Sequence, residues 1–392
     1  MSFIFVLNHL RDVPLIAILY KTSPWPFKVI LSNFKAIDEY QWPKKRKYID
    51  SYFNDVQIES IKNIFGDDLV NCTSLYDFKK ITNDTELCIS RGREFFVLKQ
   101  FAKKNIAISS DRCYLSRILD ILPIYNDSIK IIFDSEVWIN KKICEYIEMT
   151  SGSYPNLMYD YDYLETHKDK FEFVDVLGEI NNLFLSKIGK DSIKENFNID
   201  KNKKIAFLSL RSADPEITLY KNSDAFFNVT LKMIKEFKKN NYTILSRRRL
   251  GTQDIIIRNS SPEISRFQEI KQYIDLELNG YGEFPGDLWR AMCISDVLLL
   301  PDISSIADIE AVLCKCPIYM PLNECDKNRV NFVINKLSPR FQDLMRKNLI
   351  FSDIENFPNI DYFNRMDNFS KFWYNTNIKK FWEIVYNFLE EK

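Results

Sequence analysis

Two adjacent serines at the start of a predicted helix have the residue type and the position to bind a phosphate. The apolar run 296–300 predicts a buried strand, and 304–314 predicts a helix that follows it after a short turn. Asp302, Ser304 and Ser305 therefore lie at the carboxyl end of a strand, where open α/β sheets bind ligands. The hydroxyls and the N–H groups of the helix start can donate to a phosphate or diphosphate. The alternative is that the serines only cap the helix.

Basic and hydroxyl side chains follow two other predicted strands in the same half of the chain. They are Arg247, Arg248 and Arg249 after the strand 242–246, and Arg211 and Ser212 after the strand 204–210. Guanidinium groups bind phosphate oxygens through paired hydrogen bonds, so the three arginines are suited to hold a diphosphate and to stabilise a leaving nucleotide. The alternative is a solvated basic loop.

Apolar runs alternate with amphipathic segments along the whole chain, which is typical of α/β proteins with parallel sheets. An apolar strand and helix are predicted within 1–20, and the next strands of the first half are 28–32, 68–72, 86–90, 105–109 and 130–133. The strands of the second half are 204–210, 242–246, 273–278, 296–300 and 317–320. We predict two doubly wound domains over 1–188 and 205–368, with a polar linker over 189–204. An aromatic-rich helix within 369–392 could cross back to the first domain.

Composition excludes several classes of function. Lys plus Arg and Asp plus Glu both number 54, so no net charge draws the protein to nucleic acid. The chain has 2 histidines, and its 8 cysteines are scattered through apolar runs without zinc spacing. We therefore predict no metal site and no cofactor, and we expect buried, reduced thiols.

The chain contains no apolar run of the roughly 18 residues that a membrane span needs, and no signal peptide is recognisable. We therefore expect a cytoplasmic protein. The basic segment 43–48 could hold it peripherally at the inner face of the plasma membrane, by contact with anionic lipid, or could simply be a solvated loop.

The segment 286–321 resembles the last βαβ unit of the CDP-glycerol glycerophosphotransferase family, which belongs to the GT-B glycosyltransferase superfamily. The matching places are held by Asp287-Leu288-Trp289, Ser295-Asp296-Val297, Asp302-Ile303-Ser304-Ser305 and Cys316-Pro317-Ile318. Fainter similarities lie in 173–185 and 203–211. The resemblance implies a GT-B-like α/β fold, in which two Rossmann-like, doubly wound domains face each other across a cleft and the second domain binds the donor.

Two glutamates are further predicted donor contacts. The resemblance implies that Glu310, in the helix after the serines, bonds the donor ribose, and the alternative is an ordinary helix-surface acid. Glu283 lies between Gly282 and Gly286 in a loop at a strand end, and such loops often contact a nucleobase through backbone groups.

The catalytic histidines of that family are absent from this chain. Where the family has a histidine after a strand of the first domain, this sequence has Asp134 and Glu136 after the strand 130–133. Inverting sugar transferases commonly use a carboxylate as the base that deprotonates the acceptor hydroxyl, so these two acids are the predicted catalytic residues. The alternative is that both are solvated loop acids.

These observations predict a metal-independent glycosyltransferase that moves a sugar from a nucleotide-activated donor to a hydroxyl of a growing cell-surface polysaccharide. The resemblance implies a polymer such as a capsule, a lipopolysaccharide or a teichoic-acid-like chain, with a glycan or lipid-linked acceptor. The alternatives are a transferase that uses a CDP-polyol donor, a sugar-nucleotide epimerase, and a non-catalytic nucleotide-binding subunit. The shortage of histidines argues against the epimerase, and the retained serine turn argues against the binding subunit.

Overall fold

A computed structural model provides the structure of the chain. It describes residues 2–7, 12–33, 53, 55–91, 102–109, 129–133, 166, 172–185, 187–210, 219–220, 222–247, 261–278, 283–302, 307–332, 334, 339–346, 350–351 and 377–391, and the elements are numbered through these residues. Contacts along the chain divide it into two domains. The first consists of Met1–Ile180, Gly280–Gly286 and Asn375–Lys392, and the second of Asn181–Asn279 and Asp287–Tyr374.

Parallel strands form the sheet of the first domain. They are β1 (Phe3–Leu7), β2 (Phe27–Ser32), β3 (Leu69–Cys72), β4 (Leu87–Arg91), β5 (Lys104–Ser109), β6 (Ile129–Phe133) and β7 (Glu172–Phe173). Their order is β3-β2-β1-β4-β5-β6-β7, so the winding direction reverses between β1 and β4. This is the strand order of a doubly wound nucleotide-binding fold with one strand added at the edge. The predicted strands of the first half are confirmed as β1 to β6.

Three described helices belong to the first part of this domain: α1 (Val13–Thr22), α2 (Asp55–Phe65) and α3 (Leu75–Thr82). The residues of α1 from Val13 to Leu19 are all buried, as expected for a helix that is apolar on every side. Ser74 begins α3, and its hydroxyl oxygen accepts a hydrogen bond from the Asp77 N–H at 3.1 Å, which satisfies one of the open donors of the helix start.

The second domain repeats the same strand order. Its strands are β8 (Lys204–Ser209), β9 (Tyr242–Arg247), β10 (Leu276–Leu278), β11 (Val297–Leu299), β12 (Ile318–Tyr319) and β13 (Ile350–Phe351). All neighbouring pairs are parallel in the order β10-β9-β8-β11-β12-β13. Counted from β8, this order is again that of a Rossmann-like domain, with its reversal between β8 and β11. The prediction of two doubly wound α/β domains is therefore confirmed.

The described helices of the second domain lie between its strands or flank them. They are α4 (Lys190–Asn196), α5 (Ser223–Lys239), α6 (Ser261–Lys271), α7 (Asp287–Ile294), α8 (Ala307–Leu313), α9 (Lys327–Phe332) and α10 (Pro339–Arg346). Helix α4 occupies part of the segment 189–204, where we expected a linker. It is followed by Phe197, whose ring lies 5.4 Å from the guanidinium carbon of the buried Arg290 in α7.

The last described helix, α11 (Ile378–Glu390), belongs to the first domain. Its Trp382 donates a hydrogen bond to the Thr22 hydroxyl at 3.2 Å, and the Trp382 ring lies 5.9 Å from that of Trp25. At its end, the Lys104 ammonium donates to backbone carbonyls of the last turn, including that of Glu391 at 2.5 Å. A cation at this position satisfies open carbonyls and complements the negative end of the helix dipole. None of the helices in the described ranges combines the length and the apolar character that would let it cross a membrane.

Two aspartates fix the amino ends of the central strands in the second domain. The Asp296 N–H donates to the Ile205 carbonyl at 2.8 Å, and its carboxylate accepts from the Ile205 N–H at 2.7 Å. Asp275 makes the same pair of bonds to Ile244, at 2.9 Å and 2.7 Å. Each aspartate thus binds both the backbone N–H and the backbone carbonyl of the isoleucine on the neighbouring strand. The strand starts of β8 and β9 are held in register by these side chains.

We expect Asp296→Ala to lower the free energy of unfolding by about 1–3 kcal/mol, because the part-buried Ile205 N–H loses a charged acceptor. Asp296→Asn should lose less, since its amide oxygen can still accept the same hydrogen bond. Urea unfolding of the two variants measures the difference. Asp191→Ala, at an exposed acid in α4, is the control. Equal losses in the alanine and asparagine variants would contradict the assigned hydrogen bond.

Candidate functional site

The carboxyl ends of β8, β9 and β11 meet at one edge of the second sheet. In the observed register, Ser209 at the end of β8 pairs with Arg247 at the end of β9, and Leu208 pairs with Leu299 at the end of β11. The next described helix along the chain is α5 after β8, α6 after β9 and α8 after β11. Because the winding reverses between β8 and β11, this edge is where a doubly wound domain binds its ligand. The sequence placed its candidate donor site at the same strand ends.

The turn after β11 begins with Pro301 and Asp302, and both residues are buried. The Asp302 side chain is 4% exposed, and its carboxylate accepts a hydrogen bond from the Leu219 N–H at 3.1 Å. The Tyr220 hydroxyl donates to the Pro301 carbonyl. The described contact of the Asp302 carboxylate is thus with the Leu219 backbone, and the predicted role of Asp302 in donor binding stays a prediction.

The segment Leu219–Tyr220 also contacts the chain that follows β12. The Leu219 carbonyl accepts from the Asp326 N–H at 3.0 Å, and the Cys325 thiol is within hydrogen-bond reach of the Tyr220 hydroxyl. The Tyr220 ring packs edge-on against Phe226 of α5, with 5.6 Å between the ring centroids. Burial raises the pKa of Tyr220 far above its ordinary value, so its hydroxyl stays a neutral donor. Tyr220 could not be identified from the sequence, because a single tyrosine after a polar segment gives no motif signal.

Two acids lie on the helix that follows the turn. Glu310 is 9% exposed and Asp308 is 0% exposed, and both belong to α8. Glu310 is therefore not the exposed helix-surface acid of the alternative interpretation. Carboxylates in the first turn of a helix are stabilised by its dipole. Asp308 was missed by the sequence analysis, although its apolar neighbours Ala307 and Ile309 were a signal that this stretch of helix is buried.

Glu283 lies in a segment that groups with the first domain. Its side chain is exposed, and its carbonyl accepts from the Gly286 N–H at 2.7 Å in a tight turn. Gly286 has a φ of 113°, which a residue with a side chain rarely adopts. The neighbouring Phe284 ring lies 5.2 Å from the Lys21 ammonium of α1. The described contacts of this loop are therefore with the first domain, and its predicted contact with a nucleobase stays a prediction.

Several predicted residues lie outside the described part of the chain. They are the catalytic candidates Asp134 and Glu136, the donor-binding candidates Arg211, Ser212, Arg248, Arg249, Ser304 and Ser305, and the basic segment 43–48. For Arg247 the structure describes the backbone position at the end of β9. Asp134 directly follows β6, which ends at Phe133. The roles of these residues stay predictions.

The described cysteines are free and buried: Cys72, Cys88, Cys293, Cys314, Cys316 and Cys325. Burial raises the pKa of Cys325 to about 12 and that of Cys72 to about 11, and Cys314 and Cys316 shift in the same direction. A thiol with a raised pKa forms little thiolate near neutral pH and reacts slowly. Within the described ranges, no group of three or more histidine, cysteine, aspartate or glutamate side chains is arranged to hold a metal ion.

Comparison with known proteins gives a result at the level of the fold. No protein-family model matches the chain, and no curated protein matches its sequence. Among solved structures, the wall teichoic acid polymerase TagF is similar at a TM-score of 0.53 and 12% identity, covering 100% of this chain and 89% of the other. A glycosyltransferase from Rickettsia africae ESF-5 has a TM-score of 0.46 and 11% identity, covering 100% and 99%. HepE of Anabaena, solved in complex with UDP, has a TM-score of 0.41 and 9% identity, covering 82% and 80%.

The similarity to the polymerase extends over the full length of this chain and includes both Rossmann-like domains. It confirms the GT-B-like fold that the sequence predicted. At 12% identity this similarity shows the fold alone, and it assigns no role to any residue of the site.

We expect the free energy of unfolding to fall above pH 9, because Cys325 keeps its proton in the folded state up to a pKa of about 12. An unfolded thiol ionises near pH 9, so the unfolded state loses its proton first and is favoured as pH rises. Below pH 9 both states are protonated and the contribution of Cys325 is fully present. Between pH 8 and pH 10, wild type should lose about 1 kcal/mol more than Cys325→Ala, measured by urea unfolding. Equal losses in the two proteins would contradict the buried, protonated thiol.

Proposed function

We propose that the protein is a glycosyltransferase that moves a sugar from a nucleotide-activated donor to a hydroxyl of a growing cell-surface polysaccharide. The observation that carries the proposal is the winding reversal between β8 and β11 in the second domain. In the sequence, groups that suit a diphosphate follow both strands next to that reversal. Arg211 and Ser212 follow β8, and Ser304 and Ser305 follow Asp302 after β11.

The strand β9 adds a third source of donors to the same edge. Arg247 ends β9 beside Ser209 of β8, and Arg248 and Arg249 follow it. Guanidinium groups stabilise the negative charge that develops on a departing nucleotide diphosphate. The proposal that transfer is metal-independent rests on this positive charge, which could take the place of a divalent cation. Within α8, the buried Glu310 is the candidate partner for the donor ribose.

The acceptor side of the reaction needs a base. Asp134 follows β6 at the carboxyl edge of the first sheet, and Glu136 lies two positions later. A carboxylate there could remove the proton of an acceptor hydroxyl as the sugar is transferred. The acceptor that we propose is a glycan, free or lipid-linked, and the basic segment 43–48 is the candidate for contact with the membrane that carries it.

A CDP-polyol donor is the second candidate. The similarity of fold to a wall teichoic acid polymerase and the resemblance of 286–321 to the CDP-glycerol glycerophosphotransferases both favour it. The absence of that family's histidines from this sequence favours the sugar donor. Both candidates share the donor site at the edge of the second sheet, so one binding experiment tests the site and separates the donor classes.

We expect one of UDP, GDP, CDP, CMP and dTDP to raise the melting temperature of wild type, and the effect to be lost in a Ser304→Ala/Ser305→Ala variant. A ligand at about a hundred times its dissociation constant stabilises by about 2.7 kcal/mol, which a thermal-shift assay detects readily. Ser74→Ala removes a helix cap in the first domain, so it should lower the melting temperature and leave the nucleotide effect unchanged. The same titration with EDTA tests the proposed independence of metal.

A melting curve that no nucleotide shifts would argue against a transferase of either kind. Where a nucleotide does bind, incubation with the matching activated donors separates the remaining functions. A transferase hydrolyses its donor slowly without acceptor, an epimerase converts one sugar nucleotide into another, and a binding subunit does neither. CMP or CDP as the stabilising nucleotide would favour the CDP-polyol donor.

A further inference from the structure

Three loops at the carboxyl edge of the second sheet are joined at one point. The loop after β8 ends at Leu219–Tyr220, the turn after β11 contains Pro301–Asp302, and the chain after β12 contains Cys325–Asp326. Leu219 binds the Asp302 carboxylate through its N–H and the Asp326 N–H through its carbonyl, at 3.1 Å and 3.0 Å. Tyr220 binds the Pro301 carbonyl. We call these contacts the loop clasp.

The loop clasp is buried. Tyr220 is 1% exposed, Asp302 is 4% exposed and Cys325 is 7% exposed. A buried backbone N–H or carbonyl that loses its partner is costly, so the clasp holds its loops in one arrangement. The Tyr220 hydroxyl donates to the Pro301 carbonyl, and the Tyr220 ring packs against the Phe226 ring.

The loop clasp lies beside the winding reversal of the second sheet. It joins Leu219–Tyr220, which follow β8, to Pro301–Asp302, which follow β11. The segment after β8 also contains Arg211 and Ser212, and the segment after β11 also contains Ser304 and Ser305. A ligand bound across the reversal would contact both segments, and joining Leu219–Tyr220 to Pro301–Asp302 beforehand lowers the ordering cost of binding.

We propose that Tyr220 and Asp302 are positioning residues that fix the loop after β8 against the turn after β11 and thereby preorganise the site for a nucleotide diphosphate. The inference rests on the proposed function, because it concerns the donor site of that reaction. In this proposal Asp302 affects ligand binding indirectly, by holding the Leu219 backbone in place. The proposal also adds Tyr220, which was not among the residues predicted from the sequence.

The experiment compares Tyr220→Phe, Asp302→Ala and Asp302→Asn with wild type. The ligand is whichever of UDP, GDP, CDP, CMP and dTDP stabilises wild type most, and its dissociation constant is measured by calorimetry well below the melting temperature of each variant. Tyr220→Phe keeps the ring and removes one donor, and we expect binding to weaken about three- to tenfold. Asp302→Ala should weaken it about tenfold, and Asp302→Asn should restore binding because its amide oxygen can accept from Leu219. Hydrogen exchange at the Leu219 N–H should quicken in Asp302→Ala and return towards wild type in Asp302→Asn.

Tyr242→Phe is the matched control, since Tyr242 is a buried tyrosine at the opposite, amino end of β9. It should leave the dissociation constant unchanged whatever its effect on the melting temperature. A dissociation constant that is unchanged in Tyr220→Phe and Asp302→Ala, with a lower melting temperature alone, would overturn the loop clasp as a positioning device and leave the donor site standing. If no nucleotide binds wild type, the proposed function and the loop clasp fall together.

Discussion

The second domain depends on the pairing of β8 with a parallel neighbour on each side. The residues of β8 from Ile205 to Leu208 are fully buried, and the strand is bonded to β9 and to β11 along its length. A parallel neighbour can be reached only by a crossover, so each strand must leave the sheet at the same edge at which the others leave it. At the opposite edge, Asp275 and Asp296 bind the backbone at the starts of β9 and β8. The loops that could bind a ligand are therefore collected on one side by the topology.

The two parallel sheets could be predicted from the sequence, because most of their strands are apolar runs bounded by polar residues. Elements that bury few side chains give a weaker signal in the sequence. The strand β13 has two residues, Ile350–Phe351, and two residues show no alternation. Helix α4 buries a single residue, Ile193, so its composition was indistinguishable from that of a linker. Helix α3 is short and rests on the pair Phe78 and Ile81, too few positions to establish a helical period.

The location of the candidate site could be predicted from the sequence, but the hydrogen-bond partners of its residues could not. Strand ends locate the edge, but whether a polar residue there faces a ligand or the backbone depends on loops that are distant in sequence. Asp302 shows this, since its partner Leu219 is 83 positions away. A residue that recurs in a motif can therefore serve the geometry of a site without touching the ligand.

Buried negative charge is concentrated next to the candidate donor site. Asp302, Asp308 and Glu310 are all buried within one turn and the helix that follows it, and a nucleotide diphosphate would bring further negative charge to the same edge. Buried carboxylates are tolerated when positive groups or hydrogen bonds compensate them. The protein as a whole carries no net charge that could do so. Asp302 has such a hydrogen bond from the Leu219 N–H, and the run Arg247–Arg248–Arg249 at the end of β9 is where the sequence concentrates cations. The start of a short helix offers partial charges and guanidinium groups carry full ones, so we expect a diphosphate at this edge to need both the serine turn and the arginines.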